Sequence, residues 1–160
     1  MRLLIAAVGQ MKAGPERTLF TRYAERATAA GKPLGLGPLA MREWPESRAR
    51  RPQDRKAEEG RALLGAFDAG ARALALDEGG DARDSVAFAR TLARARDEGA
   101  KTLLFFIGGP DGLDPPVRAA CRDVVSFGAM TLPHQLARVV LAEQIYRAMT
   151  ILAGHPYHRP

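Results

Sequence analysis

Two glycine-containing stretches and a polar C-terminus hold most of the residues in this sequence that are suited to chemistry. Gly108-Gly109-Pro110-Asp111-Gly112 directly follows the apolar run Thr102-Leu103-Leu104-Phe105-Phe106-Ile107. Glycines after a strand accept positive φ and let backbone N–H groups approach a ligand closely; a tight turn would use them in the same way. The second stretch is Ser126-Phe127-Gly128-Ala129-Met130-Thr131-Leu132-Pro133-His134, which reads as a strand, a turn and a helix begun near Pro133. The C-terminus, Gly154-His155-Pro156-Tyr157-His158-Arg159-Pro160, gathers two of the three histidines beside a tyrosine and an arginine. Tyrosine stacks on a nucleobase while arginine and histidine contact phosphate, which is RNA chemistry. An unstructured terminus is the alternative.

Several common chemistries are excluded. No Gly-Lys-Ser/Thr follows Gly112, so the loop is not a phosphate-binding P-loop. Gly35-Leu36-Gly37 lacks a third glycine and precedes its strand, and Gly9 to Gly14 does not fit the dinucleotide fingerprint either. A nicotinamide dehydrogenase or an ordinary Rossmann methyltransferase is therefore disfavoured. The single cysteine, Cys121, rules out an internal disulfide framework and a cysteine-rich zinc site. It reads as a small buried residue, and no metal is expected. The N-terminal apolar run, Leu3 to Val8, is too short for a signal peptide or a membrane span and reads as a first strand. The expectation is a cytoplasmic protein with no membrane partner. A formal net charge of +6, from 24 basic and 18 acidic residues, suits an acidic partner such as RNA. Arg48, Arg50, Arg51, Arg55 and Lys56 stand against Asp54 alone between residues 48 and 56; a solvated loop is the plainer reading of that run.

The loops need a scaffold, and the sequence alternates strand and helix. Strands are expected at 3–8, within 34–44, at 72–76 and at 102–107. Helices are expected at 15–30, 53–68 and 85–97, and from near Pro133 to 152. Pro15 opens the first helix, with Leu19, Phe20, Tyr23 and Ala27 on one face, and Gly31-Lys32-Pro33 stops it. The third strand ends in Asp77-Glu78-Gly79-Gly80, and the next helix keeps Arg83, Arg90 and Arg94 on its wet side. This pattern gives one α/β domain over residues 1–160, with a mostly parallel sheet flanked by helices. Ligands then belong beyond the carboxyl ends of the strands, at 77–80, 108–112 and 128–133. The last helix is unusual, because Leu136, Val139, Val140, Leu141, Ile145, Met149, Ile151 and Leu152 point around most of its circumference. Only Glu143, Arg147 and Thr150 form a polar stripe. A helix apolar nearly all round is buried nearly all round, which leads to the expectation of a second subunit against it.

Taken in order, Ile107-Gly108-Gly109-Pro110-Asp111-Gly112-Leu113, Leu132-Pro133-His134, Arg138-Val139, Glu143-Gln144, Tyr146-Arg147-Ala148 and His155-Pro156-Tyr157-His158-Arg159 resemble the RlmH family. Ala7-Val8-Gly9 and Leu76-Asp77-Glu78 agree. These SPOUT-class enzymes methylate N3 of a pseudouridine in large-subunit (23S) ribosomal RNA. The resemblance spans the chain and is weakest between residues 31 and 55. It implies a deep C-terminal trefoil knot, which composition and periodicity do not reveal because knotted chains are very rare. It also implies S-adenosyl-L-methionine as cofactor and the assembled ribosome as substrate. A homodimer is implied in which the pocket of one subunit meets the tail of the other.

By the same resemblance, the cofactor lies against Leu76, Gly108, Gly109 and the segment Gly128, Ala129, Met130, Thr131, Leu132 and Pro133. Leu76, Ile107, Met130 and Leu132 would offer adenine an apolar slot. N3 of pseudouridine is an imide N–H whose proton must leave around the time of attack. His158 would accept that proton or grip phosphate, Arg147 would stabilise the developing imidate, and Tyr157 would stack on the base. Two other readings use the same residues. One is a SPOUT methyltransferase acting on another RNA such as tRNA, whose members usually carry extra RNA-binding domains. The other is a non-catalytic nucleotide- or RNA-binding α/β module, which would keep the glycine loop and tail without cofactor affinity.

Overall fold

The computed structural model describes residues 1–158. At its centre is β4 (Thr102–Ile107), every residue of which is buried. A strand without polar alternation needs cover on both faces. β1 (Arg2–Val8) pairs along one edge of β4 and β3 (Ala71–Ala82) along the other. β2 (Leu39–Trp44) lies outside β1, and β5 (Asp123–Ser126) outside β3. All pairings are parallel, in the order β2-β1-β4-β3-β5.

Side chains alternate across a sheet, so Leu3, Ile5, Leu103 and Phe105 enter one core while Ala6, Val8, Leu104 and Phe106 enter the other. Helices α1 (Pro15–Gly31), α3 (Ser85–Asp97) and α5 (His134–Leu152) cover the first face. Helices α2 (Pro52–Leu64) and α4 (Pro115–Ala120) cover the second. Crossovers running one way, β1 to β2 and β3 to β4, use the first face; those running the other way use the second. A constant handedness of crossover requires this. The chain therefore leaves β3 and β4 toward opposite faces, and a crevice opens above their carboxyl ends.

Several boundaries differ from the sequence-based expectation for identifiable reasons. α2 ends at Leu64 rather than near 68, because Gly65 caps it and the next residues close tighter turns, Ala66 N–H donating to Leu63 and Phe67 N–H to Leu64. Phe67 is thereby turned edge-on against Phe106, ring centroids 5.5 Å apart. β3 does not stop at Leu76. Both Leu76 and Asp81 face Val125 of β5, so residues 77–80 loop out as a bulge and the strand resumes to Ala82. α4, opened by Pro115-Pro116, and the four-residue β5 are too short to leave a periodic signal. Arg83 is not on a wet face: its guanidinium donates to Asp123 at 2.7 Å and to Thr91 at 3.0 Å.

The apolar circumference of α5 is covered in part within one subunit. α5 packs against α1 and α3 over the sheet within one subunit, burying Val139, Leu141, Ile145, Ala148 and Met149. Leu136 remains exposed, and Val140, Ile151 and Leu152 are half-buried. Much of the helix is thus covered without a partner.

Candidate functional site

A cavity of about 440 Å³ opens above the carboxyl ends of β3, β4 and β5, inside the roughly 300–1,000 Å³ usual for small-molecule sites. Of the residues expected to hold a cofactor, Leu76, Gly108, Gly109, Gly128, Met130, Thr131 and Leu132 line it. Ala129 and Pro133 sit in the same segment but outside the wall. Ile107, Leu113 and Val125 add apolar surface, and Asp77, Glu78, Lys56, Arg118 and Ser126 add polar surface. Met130 is 85% exposed, so the segment after β5 stands away from the body of the subunit.

The glycines act differently from the expectation. Neither Gly108 nor Gly109 has positive φ; Gly112 (φ 86°) and Gly128 (φ 117°) do. A Cβ on Gly108 would fall 2.7 Å from the carbonyl carbon of Gly112, so this glycine lets the loop close on itself. Gly112 N–H donates to Gly109 O at 2.9 Å and completes the turn. A Cβ on Gly109 would fall 2.7 Å from Glu59 Oε2. The turn and the ligand-facing loop are therefore one object, with Gly108 and Gly109 spaced for the protein and their backbone left facing the cavity.

Glu59 carries no mark of a site residue in the sequence. It is 5% exposed and supports the glycine loop from behind. Its Oε1 accepts the Ser47 N–H at 2.9 Å, while Oε2 is buried without a partner among the described residues. Burial raises the Glu59 pKa above its ordinary value. On the rim, Arg55 donates Nε to Asp111 Oδ2 at 2.6 Å and Nη2 to Oδ1 at 3.0 Å. That fork holds the Asp111 carboxyl below its ordinary pKa. At the bulge of β3, Asp77 accepts the Gly79 N–H at 2.9 Å and pairs with Arg118 at 3.2 Å. Cys121 is only half-buried and donates to Val117 O at 3.2 Å; burial pushes its thiol up to about 12. Its thiolate is disfavoured, which makes it a poor nucleophile.

Arg147 and Tyr157 come together, but not in the cavity. Glu143 Oε1 accepts Arg147 Nε at 3.0 Å and Nη2 at 2.6 Å, and the Tyr157 hydroxyl at 3.1 Å. The Arg147 guanidinium lies 4.9 Å from the centroid of the Tyr157 ring, which also packs against Tyr146 at 4.7 Å. Burial, then the Tyr23 hydroxyl and Glu143, push the Tyr157 phenol up to about 12. His158 follows in the chain, half-buried, with Nδ1 unpartnered among the described residues. Arg159, expected to contact phosphate, lies outside the described residues, as does Pro160. α5 links the two regions: His134 lines the cavity, while Arg147 lies roughly 20 Å farther along the helix at about 1.5 Å per residue.

A family described as "Predicted SPOUT methyltransferase" matches residues 1–158. The chain is 58% identical over 159 residues to a protein of Xanthobacter autotrophicus named "Ribosomal RNA large subunit methyltransferase H", covering 99% of each chain. Proteins of the same name from Methylocella silvestris and Brucella anthropi are 54% and 52% identical over 159 residues, again covering 99% of each. With a parallel α/β sheet, a crevice at the strand ends and relatives this similar along its length, the chain belongs to the SPOUT methyltransferase family and, within it, to the ribosomal RNA large subunit methyltransferase H group.

Proposed function

We propose that this chain methylates N3 of a pseudouridine in large-subunit (23S) ribosomal RNA, using S-adenosyl-L-methionine, as a cytoplasmic homodimer acting on the assembled ribosome. The observation that carries this reading is the cavity at the ends of β3, β4 and β5, in a chain similar throughout to proteins named ribosomal RNA large subunit methyltransferase H. Its wall suits the cofactor. Leu76, Ile107, Met130 and Leu132 offer an apolar slot for adenine, and the backbone of Gly108, Gly109, Gly128 and Met130 to Leu132 offers hydrogen bonds beside it. Asp77 and Glu78 supply carboxylate acceptors in the same wall. When bound, S-adenosylmethionine supplies an electrophilic methyl group already activated by its sulfonium, so no protein nucleophile is required.

The protein's own task is then to position the base and remove the N3 proton. Within one subunit the Arg147–Tyr157 cluster is too distant from the cavity for that, as the length of α5 indicates. The reading therefore uses the tail of the partner subunit. Tyr157, kept a phenol by its surroundings, suits stacking and hydrogen-bond donation rather than proton abstraction. Arg147 suits stabilisation of the developing imidate, and His158 is the ring that takes the proton. The trefoil knot implied by the family belongs to the same reading: residues 127–132 run along the glycine-loop cavity before the chain enters α5.

Mass spectrometry of ribosomal RNA from cells lacking this protein tests the reaction. The expected result is one modified uridine short of a methyl group, restored by the wild-type gene. Ribosomal RNA with an unchanged modification profile would remove the reading. Calorimetry with S-adenosylhomocysteine should show micromolar binding; absence of heat would favour a non-catalytic binding module.

A further inference from the structure

We propose that residues 45–56 form a phosphate-gripping arm for ribosomal RNA, on the same subunit as the cavity; this deepens the proposed function and rests on it. Residues 45–51 join β2 to α2, residues 52–56 open α2, and Arg55 ties the segment to Asp111 of the glycine loop. Arg48 and Arg50 are exposed and form no ion pair among the described residues. Lys56, likewise unpaired among them, lies in the cavity wall, so one cation of the segment reaches the site. Arg51 is exposed too and engages only Asp54, one turn on.

The arm is held as a loop shaped for binding is held. Arg55 Nη1 donates to Ala49 O at 3.1 Å and to Arg50 O at 3.0 Å, while its other nitrogens grip Asp111. Ser47 N–H donates to Glu59, its hydroxyl to Glu58, and Ala49 N–H donates to Ser47 Oγ at 3.2 Å. Pro45 and Pro52 restrict φ at both ends. A merely solvated loop needs none of this. A pinned backbone that presents unpaired guanidinium groups loses less conformational freedom on binding a polyanion. The matching ligand is a run of phosphodiesters, which arginine recognises through its planar fork. Arg55 is a positioning residue here, fixing the arm and glycine loop relative to each other.

The test uses the full chain with Arg48→Ala/Arg50→Ala. A control, Arg22→Ala/Arg90→Ala, removes the same charge from exposed positions on α1 and α3. Binding to protein-free 23S ribosomal RNA is measured against salt, with ribosome methylation kinetics and S-adenosylhomocysteine affinity. Each phosphate that the protein ceases to neutralise lowers the slope of log K against log[salt] by about 0.7–0.9. The arm variant is therefore expected to lose about 1.4–1.8 of slope, with a raised KM for ribosomes and unchanged kcat and S-adenosylhomocysteine affinity. The control should lose far less. Equal losses in both variants would overturn the arm, as would a loss confined to whole ribosomes and absent on protein-free RNA, which points to an acidic protein. If the wild type binds RNA through the arm yet transfers no methyl group, the enzymatic reading fails and the arm stands. If it methylates with an unchanged slope in the arm variant, the reverse holds.

Discussion

The hydroxyl of Tyr157 donates to Glu143 Oε1 at 3.1 Å, the same oxygen that Arg147 grips with two nitrogens. One carboxylate thus sets the positions of both groups assigned to the base, Arg147 on α5 and Tyr157 in the tail. Glu143→Ala should release them together. With the geometry loosened by an ångström or so, kcat is expected to fall about 100-fold, while S-adenosylhomocysteine affinity stays near wild type because Glu143 is not in the cavity wall. Single-turnover methylation beside calorimetry separates the two. Equal loss of cofactor affinity would place Glu143 in the wrong site.

The same pairing predicts a pH response. The folded Tyr157 phenol titrates at about 12 against an ordinary 10.0. A raised folded pKa means that the protonated form is favoured in the folded state. Its contribution to tail anchoring is therefore complete below about 10 and is lost as pH rises through about 12. Ultraviolet titration of wild type minus Tyr157→Phe should show one phenol ionising late. A difference spectrum centred at the ordinary tyrosine value would show that the ring is not held as described.

Gly108→Val should abolish S-adenosylhomocysteine binding, though by a route other than a direct clash with ligand. The new Cβ would meet the Gly112 backbone at 2.7 Å, so the loop must open. A stability loss of about 1–3 kcal/mol is expected alongside, as for other overpacked sites. Chemical denaturation and calorimetry report the two effects. Wild-type affinity in this variant would remove the glycine loop from the pocket.

Arg138 tests what holds α5 to the sheet. Its guanidinium, 1% exposed, donates to Glu43 at 2.8 Å and to the carbonyls of Val8 at 2.5 Å and Gly9 at 2.9 Å. It thereby ties α5 to the ends of β1 and β2. Arg138→Met removes its bonds to those carbonyls and leaves Glu43 with Arg17 and the Met11 N–H. Removing one member of a buried pair costs about 3–5 kcal/mol, a fall in Tm of about 6–20 °C for a chain of this size. Thermal unfolding measures it, and a shift within error would mean the clamp is not structural.

These residues also mark where the sequence is legible. β4 and α3 end where their apolar runs and glycines say, and the glycine loop follows from its place after β4. The parallel sheet follows from alternation of strand and helix. What is hidden depends on contacts between distant parts of the chain. Arg138 looks like any helix-surface cation until β1 and β2 are packed beside it, and Arg83 likewise until β5 supplies Asp123. Glu59 carries no local sign that its helix will back a glycine loop. The all-round apolarity of α5 is plain in the sequence, whereas its contact with α1 and α3 of the same subunit, which bury Val139, Leu141, Ile145 and Met149, is not. The tail residues are legible only through family resemblance, because an isolated Tyr-His-Arg segment has no period.

Their distance from the cavity leads to the strongest test of a shared site. Light scattering should first give a particle near twice 17.3 kDa. Gly108→Val damages the pocket and spares the tail; Tyr157→Ala does the opposite. Each alone should be inactive. Mixed and allowed to exchange subunits, half of the dimers become heterodimers, each with one site built from an intact pocket and an intact tail. Activity should then recover to about a quarter of wild type, as a two-fold dimer with symmetric sites requires. Sites complete within one subunit would give no recovery, because every subunit in the mixture carries one defect. A mixture that stays inactive although exchange is demonstrated by mass spectrometry would therefore reject the composite site while leaving the cavity intact.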